Sequence, residues 1–150
     1  VISSMLKLSA RHFPYATFDT FLEASADLDR RERKQIAQET LGDRDGKEAV
    51  MMFVESMTPM DSLYEGTMDE AYRAVDLEQV DWTGIECPVF AVYSKVDIDV
   101  TLDHAQRLEQ MIPHIQMMYV AAGGHYVWWG NEGKKVQEAT ERFFVEHRQP

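Results

Sequence analysis

The first half of the chain carries its apolar residues at helical spacing. Phe18, Phe21 and Leu22 lie three or four positions apart within residues 17–26, and this spacing predicts an amphipathic helix. The charged segment 29–41 ends at a glycine, which is common at helix C-termini, so it is a second predicted helix.

Three further patterns complete the first half. An apolar stripe predicts a helix over residues 46–57. Ser62 and Glu65 have the spacing of a capping box, so we expect a helix to begin there, with Tyr72 on its inner face. Residues 1–4 have the composition of the end of a strand that runs into a loop.

The second half alternates between strand and helix patterns. Residues 88–93 form an unbroken apolar run, which is typical of a strand buried on both faces in a parallel sheet. A helix capped by Thr101 follows, and then a second strand over 115–120. The last segment, 132–147, is amphipathic and is predicted as a helix with Phe144 among its inward residues.

This order of elements predicts parallel strands and a site at their ends. Two strands joined through a helix by short links require a right-handed crossover, and functional groups gather where such strands end. Asp97 follows the first strand within a few residues, and His125 follows the second after a glycine-rich turn. We therefore expect a carboxylate beside an imidazole, the arrangement that orients a histidine general base. A purely structural hydrogen bond between them is the alternative interpretation.

Composition narrows the classes of function. With 150 residues, 45% of them hydrophobic, the chain can form one domain or a small core with a helical appendage. Its net charge of −11 and the lack of a basic stripe argue against nucleic-acid binding, and its acidity argues against docking on anionic membranes. The basic cluster 30–34 also contains Glu32 and is interpreted as a solvated helix face.

Cysteine content and apolar run lengths bear on the compartment. Cys87 is the one cysteine, so no internal disulfide can form, and a reducing, cytoplasmic environment is expected. Cys87 also precedes a proline at the start of an apolar strand, which predicts a packed, unreactive thiol. No apolar run approaches the ~20 residues that span a bilayer, and no signal peptide is evident. Because the chain begins at Val1 in mid-pattern, we expect further residues upstream.

Several short motifs occur in a fixed order in the second half. A proline precedes the apolar strand, and Ser94-Lys-Val-Asp97 forms the turn after it. A helix and the second strand then lead to Gly123-Gly-His125. This series resembles the C-terminal part of the α/β-hydrolase superfamily and covers nearly half of the chain. The resemblance implies that Asp97 is the acid and His125 the base of a catalytic triad, with Asp99 as the alternative acid.

The resemblance also implies a fold and a reaction. The fold is of the α/β class: a parallel sheet segment of an α/β-hydrolase core with a helical cap. Residues 1–80 correspond to the end of a core strand followed by the cap, and residues 81–150 to the C-terminal part of the core. The implied reaction is acyl transfer to water on an ester-like, small apolar substrate, with neither cofactor nor metal ion. Methionines in the cap, Met51 and Met57 among them, fit either an apolar pocket or ordinary helix packing.

The chain departs from the family pattern at two points. Ser94 stands where the family has a turn glycine. The sequence also contains no Gly-x-Ser-x-Gly elbow, the segment that holds the family's nucleophile. Ser3 and Ser4 lack the strained turn that exposes such a hydroxyl. The nucleophile is therefore expected on an N-terminal segment or on a partner chain.

Other interpretations stay open at the level of sequence. Without a nucleophile, the chain also fits a non-catalytic, partner-dependent module whose strand edge near residues 1–2 pairs with an N-terminal hydrolase segment or a second copy. The fold also hosts carbon–carbon bond hydrolysis, dehalogenation, peroxidation and ligand sensing, and it does not choose among them. A metal site made of Asp97, Asp99 and His125 matches no recognised ligand spacing.

Overall fold

Helices dominate the first half of the chain, and two strands alternate with helices in the second. The computed structural model describes residues 2–42, 44–57, 59–75, 81–121 and 123–148. A short 3₁₀ turn, Trp82–Gly84, precedes the first strand. The other elements are α1 (Ile2–His12), α2 (Pro14–Ser25), α3 (Arg30–Leu41), α4 (Arg44–Ser56), α5 (Met60–Val75), β1 (Val89–Ser94), α6 (Leu102–Met111), β2 (Ile115–Val120) and α7 (Gly130–Glu146).

The two strands lie side by side and parallel, which confirms the predicted α/β arrangement. Their register runs from Val89 opposite Ile115 to Ser94 opposite Val120, and α6 forms the connection between them. Over the described residues the sheet has these two strands. Because the strands are parallel and in register, the loops that follow them leave from the same edge of the sheet.

The N-terminal helix corrects one interpretation of the sequence. Residues 1–4 were expected to end a strand, but α1 begins at Ile2, while Val1 lies outside the described residues. Leu6 and Ala10 lie four positions apart, a helical repeat that a four-residue window does not contain. Ala10 is buried, and α1 packs on α2 and α4. The strand edge predicted at this end of the chain is therefore wrong.

A capping box in the helical half starts α3. Since α5 begins at Met60, Ser62 is inside the helix, and the capping box predicted there is wrong. At α3, Asp29 Oδ1 accepts hydrogen bonds from two amides of the first turn, and the Glu32 side chain accepts one from the Asp29 amide. Tyr72, predicted to face inward from α5, is exposed. Residue spacing alone does not distinguish the start of a helix from its interior.

β1 is less buried than its apolar sequence predicts. Residues 89–92 are partly exposed, and Tyr93 and its successor are buried. Phe143 of α7 stacks on Phe90 with ring centroids 5.5 Å apart. Phe144, predicted to face inward, is exposed, because one residue turns a helix by about 100°.

The main hydrophobic cluster joins the two halves of the chain. Trp129 is only 3% exposed, and its ring centroid lies 4.5 Å from that of Phe18 and 5.2 Å from that of Phe53. The adjacent Trp128 is 46% exposed. The residue that precedes α7 therefore packs among the helices of the first half. The buried members of this cluster are Phe18, Leu22, Ile36, Ala37, Leu41, Val50 and Trp129.

The two halves also meet at the N-terminus of α7. The Gly130 amide donates to Thr40 Oγ1 over 3.0 Å, and the Asn131 amide donates to Glu39 Oε2 over 3.0 Å. The first amides of a helix have no partner within the helix, and a carboxylate there interacts favourably with the helix dipole. Side chains at the end of α3 therefore cap α7.

One prediction concerns where the chain divides into two parts. The boundary predicted between residues 1–80 and 81–150 adjoins residues 76–80, which lie outside the described residues, so it stays a prediction.

None of the helices in the described part of the chain combines the length and apolar character that crossing a membrane requires.

Candidate active site

The loop after β1 holds the carboxylate of Asp97 by its backbone. Asp97 Oδ1 accepts hydrogen bonds from the amides of Asp99, over 2.8 Å, and Val100, over 3.0 Å. This is an Asx-type turn, in which the side chain of an aspartate organises the residues that follow it. The turn engages Oδ1 and leaves Oδ2 to face a different partner.

The residues around that loop accommodate Ser94, which stands where the α/β-hydrolase resemblance places a turn glycine. Ser94 is fully buried, and its hydroxyl oxygen accepts a hydrogen bond from the Val96 amide over 3.4 Å. The Asp97 amide donates to the Ser94 carbonyl over 3.2 Å. The Tyr93 hydroxyl donates to the carbonyl of Val100 and so ties β1 to the far end of the loop.

Two glycines after β2 shape the loop that carries the imidazole. Gly123 and Gly124 have φ values of +86° and +54°, which other residues rarely adopt. The Tyr126 amide donates to the Gly123 carbonyl over 2.8 Å, and a Cβ at Gly123 would lie 2.2 Å from the Tyr126 carbonyl oxygen. The tight turn therefore requires glycine at position 123, and it turns His125 toward the loop after β1.

The structure brings the predicted acid and base together. His125 Nδ1 lies 3.2 Å from Asp97 Oδ2. The Asp97 side chain is 6% exposed, while that of His125 is 48% exposed. A carboxylate beside Nδ1 favours the tautomer with its proton on Nδ1, so that Nε2 carries the lone pair of a general base. Their catalytic roles stay a prediction at this point.

Asp99, the alternative acid, lies close to the pair but has a different role in the contacts. It provides an amide to Asp97, while His125 hydrogen-bonds with Asp97. Ligand atoms of Asp97, Asp99 and His125 all lie within 4.8 Å of one another, which is close enough to share a cation. Both oxygens of Asp97 already have hydrogen-bond partners, so a cation would compete with those contacts, and we assign no metal here.

Two tyrosines near the pair have raised pKa values. Burial raises the pKa of the Tyr126 phenol, and the negative charge of Asp99 raises it further. Burial likewise raises the pKa of Tyr93, with smaller contributions from Asp97 and Asp103. Burial, with a smaller contribution from nearby carboxylates, therefore keeps both phenols protonated to a higher pH than usual.

The other candidate nucleophiles are not built into this site. Ser4 is exposed within the first turns of α1, and Ser3 belongs to the same helix, so neither lies on a strand-to-helix elbow. Cys87 is exposed, and the prediction that it is a packed residue is wrong. It precedes Pro88 in the loop before β1, where the sheet does not yet cover it.

A cavity in the helical half contains one of the methionines noted in the sequence. It measures about 360 Å³ and lies between α1, α2, α3 and α4. Neither Asp97 nor His125 lines it, so it is separate from the candidate site. Its lining residues are Ala10, Arg11, Pro14, Leu41, Lys47, Val50, Met51 and Glu55.

Comparison with known proteins identifies the fold. An alpha/beta hydrolase fold protein from Nakamurella multipartita superposes on 93% of this chain with a TM-score of 0.77 and 20% sequence identity. The chain has the fold of part of an α/β hydrolase. It spans 49% of the length of that protein. No protein-family profile and no curated protein matches the sequence. At this identity the likeness shows the fold and leaves the chemistry to the site itself.

Some features of the site were not predicted from the sequence. The Asx-type turn had a local signal, because an aspartate whose side chain binds amides two and three residues on is common in turns. The contact between the loops and residues 25–28 had none, since it joins segments some 70 and 100 residues apart along the chain.

Proposed function

We propose that this chain supplies the acid and base of a hydrolase that transfers an acyl group from an ester-like, small apolar substrate to water. The observation that supports the proposal best is the 3.2 Å contact of Asp97 Oδ2 with His125 Nδ1 at the ends of two parallel strands. His125 Nε2 takes the proton of the nucleophile and then returns it to the leaving group. Asp97 holds the ring in the required tautomer and stabilises its positive charge.

The nucleophile and the oxyanion donors come, in this proposal, from an N-terminal hydrolase segment. The absence of a Gly-x-Ser-x-Gly motif from the 150 residues supports this, as does the greater length of the structurally similar protein, of which the chain spans 49%. Acyl transfer then depends on a segment outside these residues. No cofactor enters the proposed reaction.

The choice of an apolar substrate rests on the aromatic ring beside the imidazole and on the two rings packed against it. The Tyr126 ring centroid lies 6.0 Å from that of His125, 5.2 Å from that of Phe53 and 6.3 Å from that of Phe21. All three aromatic side chains are partly buried. An aromatic cluster next to the imidazole favours apolar groups over charged ones, because it offers little to replace the hydration of a charge.

A hydrolase assay with two histidine variants tests the proposal. In the protein that includes the N-terminal segment, His125→Ala is expected to lower kcat for a short-chain nitrophenyl ester by about 10²–10⁴-fold, because the general base is lost. His104→Ala is the control, since His104 is exposed on α6. Equal ester hydrolysis by wild type and His125→Ala would remove the basis of the assignment.

A further inference from the structure

Residues 25–28, at the C-terminal end of α2, lie against both loops of the candidate site. We propose that this clamp segment positions Asp97 and His125 relative to each other, so that contact with the helical half assembles the acid–base pair. The inference deepens the proposed function and rests on it for its catalytic consequence.

The clamp segment binds the loop of the acid on both sides of Asp97. Ala26 pairs with Asp97 as an antiparallel bridge. On one side, the Asp27 amide donates to the Val96 carbonyl over 2.8 Å. On the other side, the amide of the residue after Asp97 donates to the carbonyl of the residue before Ala26, over 3.3 Å. The backbone of the acid is therefore fixed by the helical half and not by the sheet alone.

The same segment also supports the loop of the base. A Cβ at Gly124 would lie 2.4 Å from Ala26 Cβ and 2.6 Å from the Ser25 carbonyl oxygen. Real Cβ atoms do not approach so closely, so only glycine permits this contact. The residue that immediately precedes His125 thus packs on the residue that pairs with Asp97.

Arg33 fixes the clamp segment within the helical half. Its Nη1 donates to the Leu28 carbonyl over 3.1 Å, while Nε and Nη2 reach Asp19 over 2.9 Å and Glu23 over 3.2 Å. The Arg33 side chain is 13% exposed, and the first two residues of the clamp segment are buried. The clamp segment is therefore tied to α2 and α3 and moves with them.

The distance between the acid and the base makes the pair sensitive to such movement. The 3.2 Å separation of Asp97 Oδ2 and His125 Nδ1 exceeds the ~2.7–2.9 Å of a short charge-assisted hydrogen bond. A displacement of a few tenths of an ångström between the loops removes the contact. Because both loops pack on the clamp segment, its position sets that distance.

Two alanine-to-valine variants separate the positioning of the site from general packing. Ala26 has an extended backbone, with φ −143° and ψ 138°, which suits valine, so Ala26→Val keeps the backbone and adds methyl groups against Gly124. Ala24→Val, at an exposed position of α2, is the control. By ¹⁵N NMR at a pH where the ring is neutral, His125 in Ala26→Val is expected to lose its Nδ1–H tautomer. His125 in Ala24→Val is expected to keep it.

Asp27→Pro tests the clamp segment by removing one of its backbone hydrogen bonds to the loop of Asp97. The Leu28 amide donates to the Ala26 carbonyl over 3.0 Å, so Asp27 is the central residue of a three-residue turn, and its φ is negative. Proline fits such a turn but cannot donate to Val96, so the same loss of tautomer is expected. Circular dichroism establishes whether each variant is folded. A wild-type tautomer in either folded variant overturns the proposal, and failure of both to fold overturns it in favour of a purely structural role.

The activity of the same variants keeps this proposal apart from the proposed function. In the protein that includes the N-terminal segment, Ala26→Val is expected to lower kcat by about 10²-fold with KM little changed, since a small misplacement of catalytic groups has an effect of that size. If His125→Ala leaves activity intact, the proposed function fails, and the tautomer alone decides the role of the clamp segment.

Discussion

At the scale of single residues, Asp97 uses its two carboxylate oxygens for different purposes. Oδ1 binds two amides of its own loop, and Oδ2 faces His125. A carboxylate with only one oxygen bound would be free to rotate away from the imidazole. The loop thus orients the carboxylate of Asp97, which in turn contacts the ring of His125.

The tyrosine next to His125 gives the site a measurable dependence on pH. Burial, reinforced by Asp99, raises the pKa of Tyr126 above the ordinary value of 10.0. The folded state then holds this proton more tightly than the unfolded state. The resulting stabilisation is complete below pH 10 and is lost as pH rises through the higher pKa of the folded state.

Tyr126→Phe is therefore expected to flatten the fall in stability as pH rises above about 10. Urea unfolding at a series of pH values measures this, and Tyr72→Phe, at an exposed position, is the control. An unchanged slope in Tyr126→Phe would contradict the burial argument.

The two principal residues of the site were predictable, and their surroundings were not. Asp97 and His125 each follow an apolar strand, and a parallel sheet brings such positions together. Ala26 carries no signal of its contact with Asp97, because that pairing depends on how the helices fold back over the sheet edge. The exposure of Cys87 was likewise not predictable, because the local sequence does not show which residues the folded sheet buries.

At the scale of elements, the start of α7 connects the helical and strand-containing halves. Its first amides bind Thr40 and Glu39 of α3, and Trp129, just before it, enters the helical core. A charged segment that ends at a glycine predicted α3, and an amphipathic pattern predicted α7, each within a few residues of its observed ends. It did not predict that one caps the other, because capping between distant elements depends on tertiary packing.

The adjacent tryptophans allow a matched test of that connection. Trp129→Ala removes a buried ring that contacts Phe18 and Phe53, so we expect it to lower the free energy of unfolding by about 3–5 kcal/mol. Trp128→Ala, at an exposed position, is expected to cost less than about 1 kcal/mol. Chemical denaturation measures both values, and equal losses would contradict the assigned core.

At the scale of the whole molecule, the two-stranded sheet offers edges at which another chain segment can pair. Over the described residues, β1 and β2 pair only with each other, so each has an unpaired edge, and such an edge is a site for strand addition. The net charge of −11 makes a second copy repel the first, so we propose the N-terminal hydrolase segment as the partner over a self-pairing copy. The edges concerned are those of β1 and β2 and not the one predicted near residues 1–2.

We accordingly expect the 150-residue chain alone to associate or to unfold without cooperativity, and to become monodisperse when the N-terminal segment is added. Sedimentation velocity and thermal denaturation measure these properties. Because salt screens the mutual repulsion of acidic chains, any self-association should increase with ionic strength. A monomer that melts cooperatively without the added segment would contradict the proposal.

The central claim is that Asp97 orients His125 as the base of an ester hydrolase. Its most direct test is the kcat of Asp97→Asn in the protein that includes the N-terminal segment. Asparagine keeps the size of the side chain but removes the charge and the preference for the Nδ1–H tautomer. The account predicts a fall in kcat of about 10⁴-fold with KM little changed. A kcat equal to that of the wild-type protein would contradict it.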